Sequence, residues 1–131
     1  MRIRVGLAGL VALAACQSTG PSRVGLGEEF ELAPNQSVAV AQTNLTIGFR
    51  RVAGDSRCPI DLLCVTEGTA GVELELFGSA EAGPVLVNSP FPKTWTSGTY
   101  RVTLLELTPQ QTAKAINPAD YRIRLIVDLV R

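Results

Sequence analysis

The side chains of this chain that could do chemistry are three cysteines and a few carboxylates. The chain has 131 residues and no histidine, which excludes histidine general bases, Ser-His-Asp triads and histidine metal ligands. Cys58 and Cys64 are separated by five residues. A redox pair usually has the shorter Cys-x-x-Cys spacing, and two thiolates without histidine partners make a poor zinc site. The spacing therefore favours a structural role for this pair.

The remaining cysteine, Cys16, ends a segment typical of an exported protein. Arg2 and Arg4 precede apolar or small residues from Val5 to Ala15. This stretch is too short for an ordinary transmembrane helix but fits a signal peptide. Its end resembles the lipobox of bacterial lipoproteins: Leu13-Ala14-Ala15-Cys16. The resemblance implies that Cys16 carries a diacylglycerol, that cleavage precedes it, and that the new amine is acylated, for example with palmitate. The alternative is an ordinary secretory signal that leaves Cys16 as a free thiol.

The resemblance also predicts where the protein lies and how the chain is divided. In proteobacterial lipoproteins an aspartate after the lipidated cysteine favours inner-membrane retention, so Gln17 implies the periplasmic face of the outer membrane in a Gram-negative host. We expect residues 1–15 to be the signal peptide and residues 16–27 a lipidated flexible tether rich in Gly, Ser and Pro. Residues 28–131 are then a single domain.

A disulfide is the expected state of the two internal cysteines. With Cys16 assigned to lipid, Cys58 and Cys64 remain as one pair in an oxidising envelope. The loop-entropy relation gives about 2 kcal/mol of stabilisation for so small a ring.

The sequence around this ring resembles a pattern that recurs in small exported bacterial proteins of unknown function. Asp-Ser-Arg-Cys-Pro occupies residues 55–59, and Val65 and Gly68 follow the second cysteine. The resemblance implies a β-rich exported domain and no activity. Thr66 stands where that pattern often has a tryptophan.

Three carboxylates near the ring, those of Asp55, Asp61 and Glu67, could bind Ca²⁺ through oxygen atoms. Their spacing matches no known calcium loop. An enzyme that uses carboxylates alone would need them to converge in a pocket with a raised pKa. The simpler interpretation is that Asp55 and Arg57 cap the turn or pair with each other. We expect neither a metal nor a cofactor.

The rest of the chain is predicted to form strands. From Phe30 onward apolar residues alternate with period two, and the clearest runs are Val38–Val40, Leu45–Phe49, Val72–Leu76, Tyr100–Val102 and Tyr121–Leu129. Turn residues separate these runs. The pattern predicts an all-β fold, a single antiparallel β-sandwich (Ig-like or small barrel-like) of about six to eight strands.

Local departures from the alternation predict three further features. Leu104, Leu105 and Leu107 cannot all face one side of a strand, which predicts a β-bulge near Leu104–Leu105. A similar slip predicts a second bulge at residues 50–52. Pro109 after Thr108 predicts at most one short helical turn, near residues 109–116.

The charge balance narrows the choice of partner. Formal net charge is zero, and removing Arg2 and Arg4 with the signal peptide leaves ten basic and twelve acidic residues. The sequence has no basic stripe, so we expect no nucleic-acid partner.

Two kinds of function remain. The first is a non-catalytic interaction or structural module that is held on the bilayer through acylated Cys16 and acts on an envelope protein. The alternative is a small-ligand-binding or protease-inhibitor-like module that uses loops 55–67 and 88–98, which requires both loops to be exposed at one end. The candidate contacts are Arg57, Asp61 and Trp95, although Trp95 would equally cover one end of the core. An enzyme is not expected.

Overall fold

The body of the chain is a two-sheet β-sandwich, as the alternating pattern predicted. The structure, a computed structural model, describes Gly9 and residues 22–78 and 82–130. This part of the chain contains nine strands and one 3₁₀ turn: β1 (Ser22–Val24), β2 (Phe30–Leu32), β3 (Gln36–Val40), β4 (Thr46–Asp55), β5 (Ala70–Phe77), β6 (Gly83–Asn88), β7 (Lys93–Ser97), β8 (Tyr100–Thr108), the turn Pro118–Asp120, and β9 (Arg122–Leu129). Apart from Gly9, the predicted signal peptide lies outside the described residues, as do Cys16 and Gln17.

The strands form one five-stranded and one four-stranded sheet. The orders are β1-β3-β4-β5-β6 and β2-β9-β8-β7. Neighbouring strands are antiparallel except β1, which runs parallel to β3. Among the described residues, no helix is long and apolar enough to cross a membrane.

The core lies between the two sheets and is built from aliphatic side chains. Alternate residues of each strand point inward, as the period of two requires. The side chains that are almost completely buried include Ile47, Phe49, Val72, Leu74, Leu76, Val102, Leu104, Ile123, Leu125 and Val127. This apolar burial is the main source of the domain's stability.

Both predicted bulges are confirmed. The β8–β9 register shifts between Leu104 and Glu106, so Leu104 and Leu107 are buried while Leu105 lies half-exposed. The β4–β5 register shifts between Phe49 and Arg51 and again between Val52 and Gly54. An extra residue in one strand turns the following side chains to the other face, which accounts for the slips of phase in the sequence.

The predicted tether of residues 16–27 is wrong for its last part. Residues 22–24 form β1, and the Ala41 amide donates to the Val24 carbonyl at 2.7 Å. The Gly27 amide donates to the Val127 carbonyl of the other sheet at 2.8 Å, and Val24 and Leu26 pack against the core. The domain therefore begins at or before Ser22, because these two apolar side chains reach the edge of the core despite their polar neighbours.

At most one short helical turn was predicted, near residues 109–116, and the one that the described residues contain lies just beyond that position. Thr108 ends β8, and the only helical turn among the described residues is Pro118–Asp120, where the Asn117 side chain caps the Ala119 amide. The carbonyls of Pro109 and Gln111 instead accept hydrogen bonds from residues 57 and 60. Backbone groups that a helix would pair internally are thus used to hold another loop.

Three connections meet at one end of the sandwich, which we call the loop end: residues 56–69, 89–92 and 109–120. The Ser89 amide donates to the Ala70 carbonyl at 2.8 Å, and the Tyr121 hydroxyl reaches Asp55 at 2.9 Å. β9 runs away from this end. The loop end therefore collects the longest connections that the structure describes.

Candidate functional site at the loop end

The cysteine loop, residues 56–69, is closed by the expected disulfide. The Sγ atoms of Cys58 and Cys64 are 2.06 Å apart. Below the ring, the Ser56 amide donates to the Thr69 carbonyl at 2.7 Å, and the Thr69 amide donates to the Ser56 hydroxyl at 3.0 Å. The loop thus leaves the β4–β5 ladder as a closed ring on a hydrogen-bonded base.

An ion pair fixes that base. Arg57 Nε and Nη2 donate to the two carboxylate oxygens of Asp55, each at 2.8 Å. The Tyr121 hydroxyl donates to the same carboxylate at 2.9 Å. The Asp55 and Arg57 side chains are only 6% and 17% exposed. The predicted pairing of these two residues is confirmed. It has the bidentate geometry that makes arginine–carboxylate hydrogen bonds strong.

The same guanidinium ties the loop to the second sheet. Arg57 Nη1 donates to the Leu107 carbonyl at 3.1 Å and Nη2 to the Pro109 carbonyl at 2.9 Å. The Ile60 amide donates to the Gln111 carbonyl at 2.9 Å. Arg57 was predicted as a partner contact, but these bonds lie within the chain, so Arg57 positions the loop.

These contacts set the pKa values of Asp55 and Tyr121. Burial by itself would raise the pKa of Asp55, but the hydrogen bonds from Arg57 and Tyr121 and the charge of Arg57 outweigh it and hold this pKa below its usual value. Burial, followed by the hydrogen bond to Asp55, raises the pKa of Tyr121 to about 12. A carboxylate that stays ionised is the opposite of what the carboxylate-enzyme hypothesis requires.

Asp61 and Glu67 do not join Asp55 in a metal site. Both are exposed, while Asp55 is occupied by Arg57 and Tyr121. Within residues 22–78 and 82–130, no group of three acidic, cysteine or histidine residues could hold a metal ion. The structure therefore does not assemble the Ca²⁺ site that the three carboxylates could have formed.

The ring and the residue after it carry exposed apolar side chains, which we call the apolar tip: Ile60, Leu62, Leu63 and Val65. Their exposed fractions are 67%, 56%, 105% and 104%. Asp61 lies among them and is exposed. Single exposed apolar residues are ordinary, but four within six positions on or next to a disulfide-closed ring are a concentration of exposed apolar surface.

A cleft of about 430 Å³ lies beside the ring. Its walls include Cys58, Ser89, Phe91, Leu105 and Gln110. The bulge in β8 is what turns Leu105 away from the core and into this cleft. The walls mix polar and apolar groups, and the cleft is open to solvent.

The two predicted contact loops meet only in part. Ser89 to Phe91 line the cleft with the cysteine loop, as the ligand-binding hypothesis required. Trp95, however, lies in β7 opposite Val102 of β8 and packs against the core. Prolines and a glycine around this segment indicated a loop, but pairing with β8 makes it a strand. Trp95 therefore covers the core, and of the predicted contacts only Asp61 lies at the apolar tip.

Replacing Gly68 by alanine is expected to destabilise the domain by about 1–3 kcal/mol. A Cβ atom at this position would collide with the carbonyl group of Ser56, at the base of the cysteine loop. Urea unfolding measures the change. Gly54→Ala is the control, because a Cβ atom there has nothing within 4 Å. Equal stability of the two variants would contradict the close approach of Gly68 to Ser56.

The apolar tip was missed by sequence analysis, although its signal is present. Three large apolar residues and a valine lie within or next to a ring of seven residues, which is too small to enclose them.

The chain was also compared with protein-family models, curated proteins and solved structures, and no match was found.

Proposed function

We propose that this chain is a bacterial envelope lipoprotein, anchored through acyl groups on Cys16 at the periplasmic face of the outer membrane. Its body is a non-catalytic interaction module that presents the cysteine loop. The observation that carries the interaction role is the exposure of the apolar tip on and beside a disulfide-closed ring. Exposed apolar patches on a stable fold are typical of contact surfaces.

The way the ring is held supports this role. The disulfide closes it, the Asp55–Arg57 pair fixes its base, and the Ile60 amide is bound to Gln111. A surface that is already ordered loses little conformational entropy when it binds, so more of the contact energy appears as affinity. These three attachments hold the apolar tip in place before a partner binds.

A second candidate function is the binding of a small ligand in the cleft beside the ring. Its volume of about 430 Å³ falls within the usual range for ligand sites. A protease-inhibitor-like role would use the apolar tip itself. These candidates differ in which residues contact the partner, namely Leu105 and Phe91 for the cleft and Leu63 for the tip.

Site-specific photocrosslinking in intact cells tests the proposed contact surface. A photoreactive residue replaces Leu63 at the apolar tip, and a matched one replaces Thr99, which is exposed in the β7–β8 turn at the opposite end. We expect an adduct from position 63, whose mass distinguishes a protein partner from a lipid, and none from position 99. A third probe at Leu105 reports on the cleft.

The outcome separates the candidates. An adduct only from position 105 would favour the ligand cleft over the apolar tip. Equal labelling at positions 63 and 99 would contradict a contact surface at the loop end. Loss of the position-63 adduct when Leu62→Ser is added would show that the apolar side chains themselves make the contact.

A further inference from the structure

The direction of β1 sets the side from which the chain enters the domain. β1 runs parallel to β3, and β3 runs antiparallel to β4. β1 is therefore antiparallel to β4, and its first residue, Ser22, is directed toward the end at which β4 passes into the cysteine loop. The chain therefore enters the sandwich at Ser22 from the end that carries the apolar tip, whereas β9 finishes at the other end.

The distance along the strands from the level of Ser22 to Asp55 matches the reach of the chain between Cys16 and Ser22. Across β3, Ser22 lies level with Ile47 of β4. Ile47 pairs with Leu76 of β5, and Asp55, just before the cysteine loop, pairs with Ala70. The two positions are therefore six β5 residues apart, which is roughly 20 Å at the rise of a strand. Cys16 precedes Ser22 by six residues, and six residues span at most roughly 20 Å. Cys16 can therefore lie at the level of Asp55, with the apolar tip beyond it.

The chemistry of the tip fits hydrocarbon better than charged groups. Residues 58–67 contain no lysine or arginine, and their charged residues are Asp61 and Glu67. Contact with this segment is therefore driven by apolar burial and not by attraction to lipid phosphates. Within this segment, Leu63 and Val65 are fully exposed.

From this placement we infer that the apolar tip inserts into the bilayer surface to which Cys16 is anchored. This inference rests on the proposed lipidation, which keeps the tip near that surface and makes insertion an intramolecular step. The tip and the acyl groups then form two attachments, which fix the orientation of the sandwich with its loop end toward the lipid. The inserted side chains are those of Ile60, Leu62, Leu63 and Val65.

Depth-dependent fluorescence quenching tests the insertion. The acylated protein, purified from membranes, is reconstituted into phosphatidylcholine vesicles whose acyl chains carry bromine. Trp95, the only tryptophan of the chain, gives the background signal of the parent protein. Leu63→Trp is expected to add a strongly quenched component, whereas Thr99→Trp at the opposite end adds an unquenched one. Addition of anionic lipid is expected to leave the quenching unchanged.

A pair of leucine variants shows that apolar contact holds the tip in place. Leu62→Ser, introduced together with Leu63→Trp, is expected to lower the ratio of inserted to free tip on the order of tenfold. Leu86→Ser is the matched control, because Leu62 and Leu86 are both 56% exposed and Leu86 lies on β6. It is expected to leave the quenching unchanged.

Vesicle flotation distinguishes failure of the inference from failure of the proposed function. Protein that floats with the vesicles while the Leu63→Trp signal stays unquenched would overturn insertion and leave the anchor intact. That result would indicate that the apolar tip binds in a pocket of a partner protein instead. Protein that lacks acyl groups and does not float would overturn the lipoprotein assignment, and the inference with it.

Discussion

Replacing Cys16 by alanine is expected to abolish both lipid attachment and cleavage before residue 16. Only a thiol at this position can form the thioether to diacylglycerol, and in lipoproteins cleavage follows that step. The parent protein should lose residues 1–15 and gain the mass of its acyl groups. The variant should keep residues 1–15, or be cut elsewhere and leave the membrane fraction, because two or three acyl chains are what make attachment lasting.

Intact mass and membrane fractionation, with and without globomycin, measure this change. The matched control replaces Cys58 and Cys64 by alanine together, which removes two cysteines and leaves Cys16. This control is expected to keep the lipid mass and the membrane association. A Cys16→Ala variant whose mass differs from that of the parent only by the lost sulfur atom would refute the anchor.

Replacing Asp55 by alanine is expected to cost about 3 kcal/mol of unfolding free energy. The change leaves the largely buried Arg57 guanidinium without its counter-charge and the Tyr121 hydroxyl without its acceptor. Breaking one partner of a buried ion pair typically costs 3–5 kcal/mol. The lower end applies because Arg57 keeps its bonds to two carbonyls. Urea unfolding near neutral pH measures the loss, and Asp61→Ala, at the exposed tip, is the control that should change little.

The pH dependence gives an independent check on the same carboxylate. Because the pKa of Asp55 is lower in the folded protein than its ordinary value of 3.8, its stabilisation is present above about pH 4 and is lost as pH falls below that value. The stability difference between the parent and Asp55→Asn should therefore shrink in acid. A constant difference would contradict an ionised Asp55 at the base of the loop.

Tyr121 adds the alkaline counterpart. Its pKa is raised from 10.0 to about 12, so the associated stability is complete below about pH 10 and is lost as pH rises toward 12. Tyr121→Phe should remove this alkaline loss. The variant also leaves the Asp55–Arg57 pair in place, which separates the contribution of the hydroxyl from that of the ion pair.

Much of the fold was predictable because each sheet buries one face. Alternation along Val72–Leu76 and Tyr121–Leu129 reports that burial directly, and breaks in the alternation located the bulges. β1 and β7 were not predicted. β1 has three residues, two of them polar, and β7 lies between prolines and Gly98. Both are strands because of neighbours distant in sequence, which local patterns do not report.

The site was predictable to the extent that it is local. The cysteine count gave the disulfide, and the two-residue separation gave the Asp55–Arg57 pair. Tyr121 and the Leu107 carbonyl lie 66 and 50 residues from their partners, so no local pattern connects them. The apolar tip was missed because Ile60, Leu62 and Leu63 have the composition of a core segment, and only the small ring prevents their burial.

The parallel pairing of β1 with β3 also decides how the domain bears a mechanical load. A pull on the chain before Ser22 acts along the axis of β1, toward the loop end. It therefore shears the β1–β3 hydrogen bonds, loading them together, whereas a pull across the strand would open them one at a time. The bond from the Gly27 amide to the Val127 carbonyl passes any remaining tension to the second sheet. The pairing of β1 with β3 thus distributes a force applied at the amino end over several hydrogen bonds.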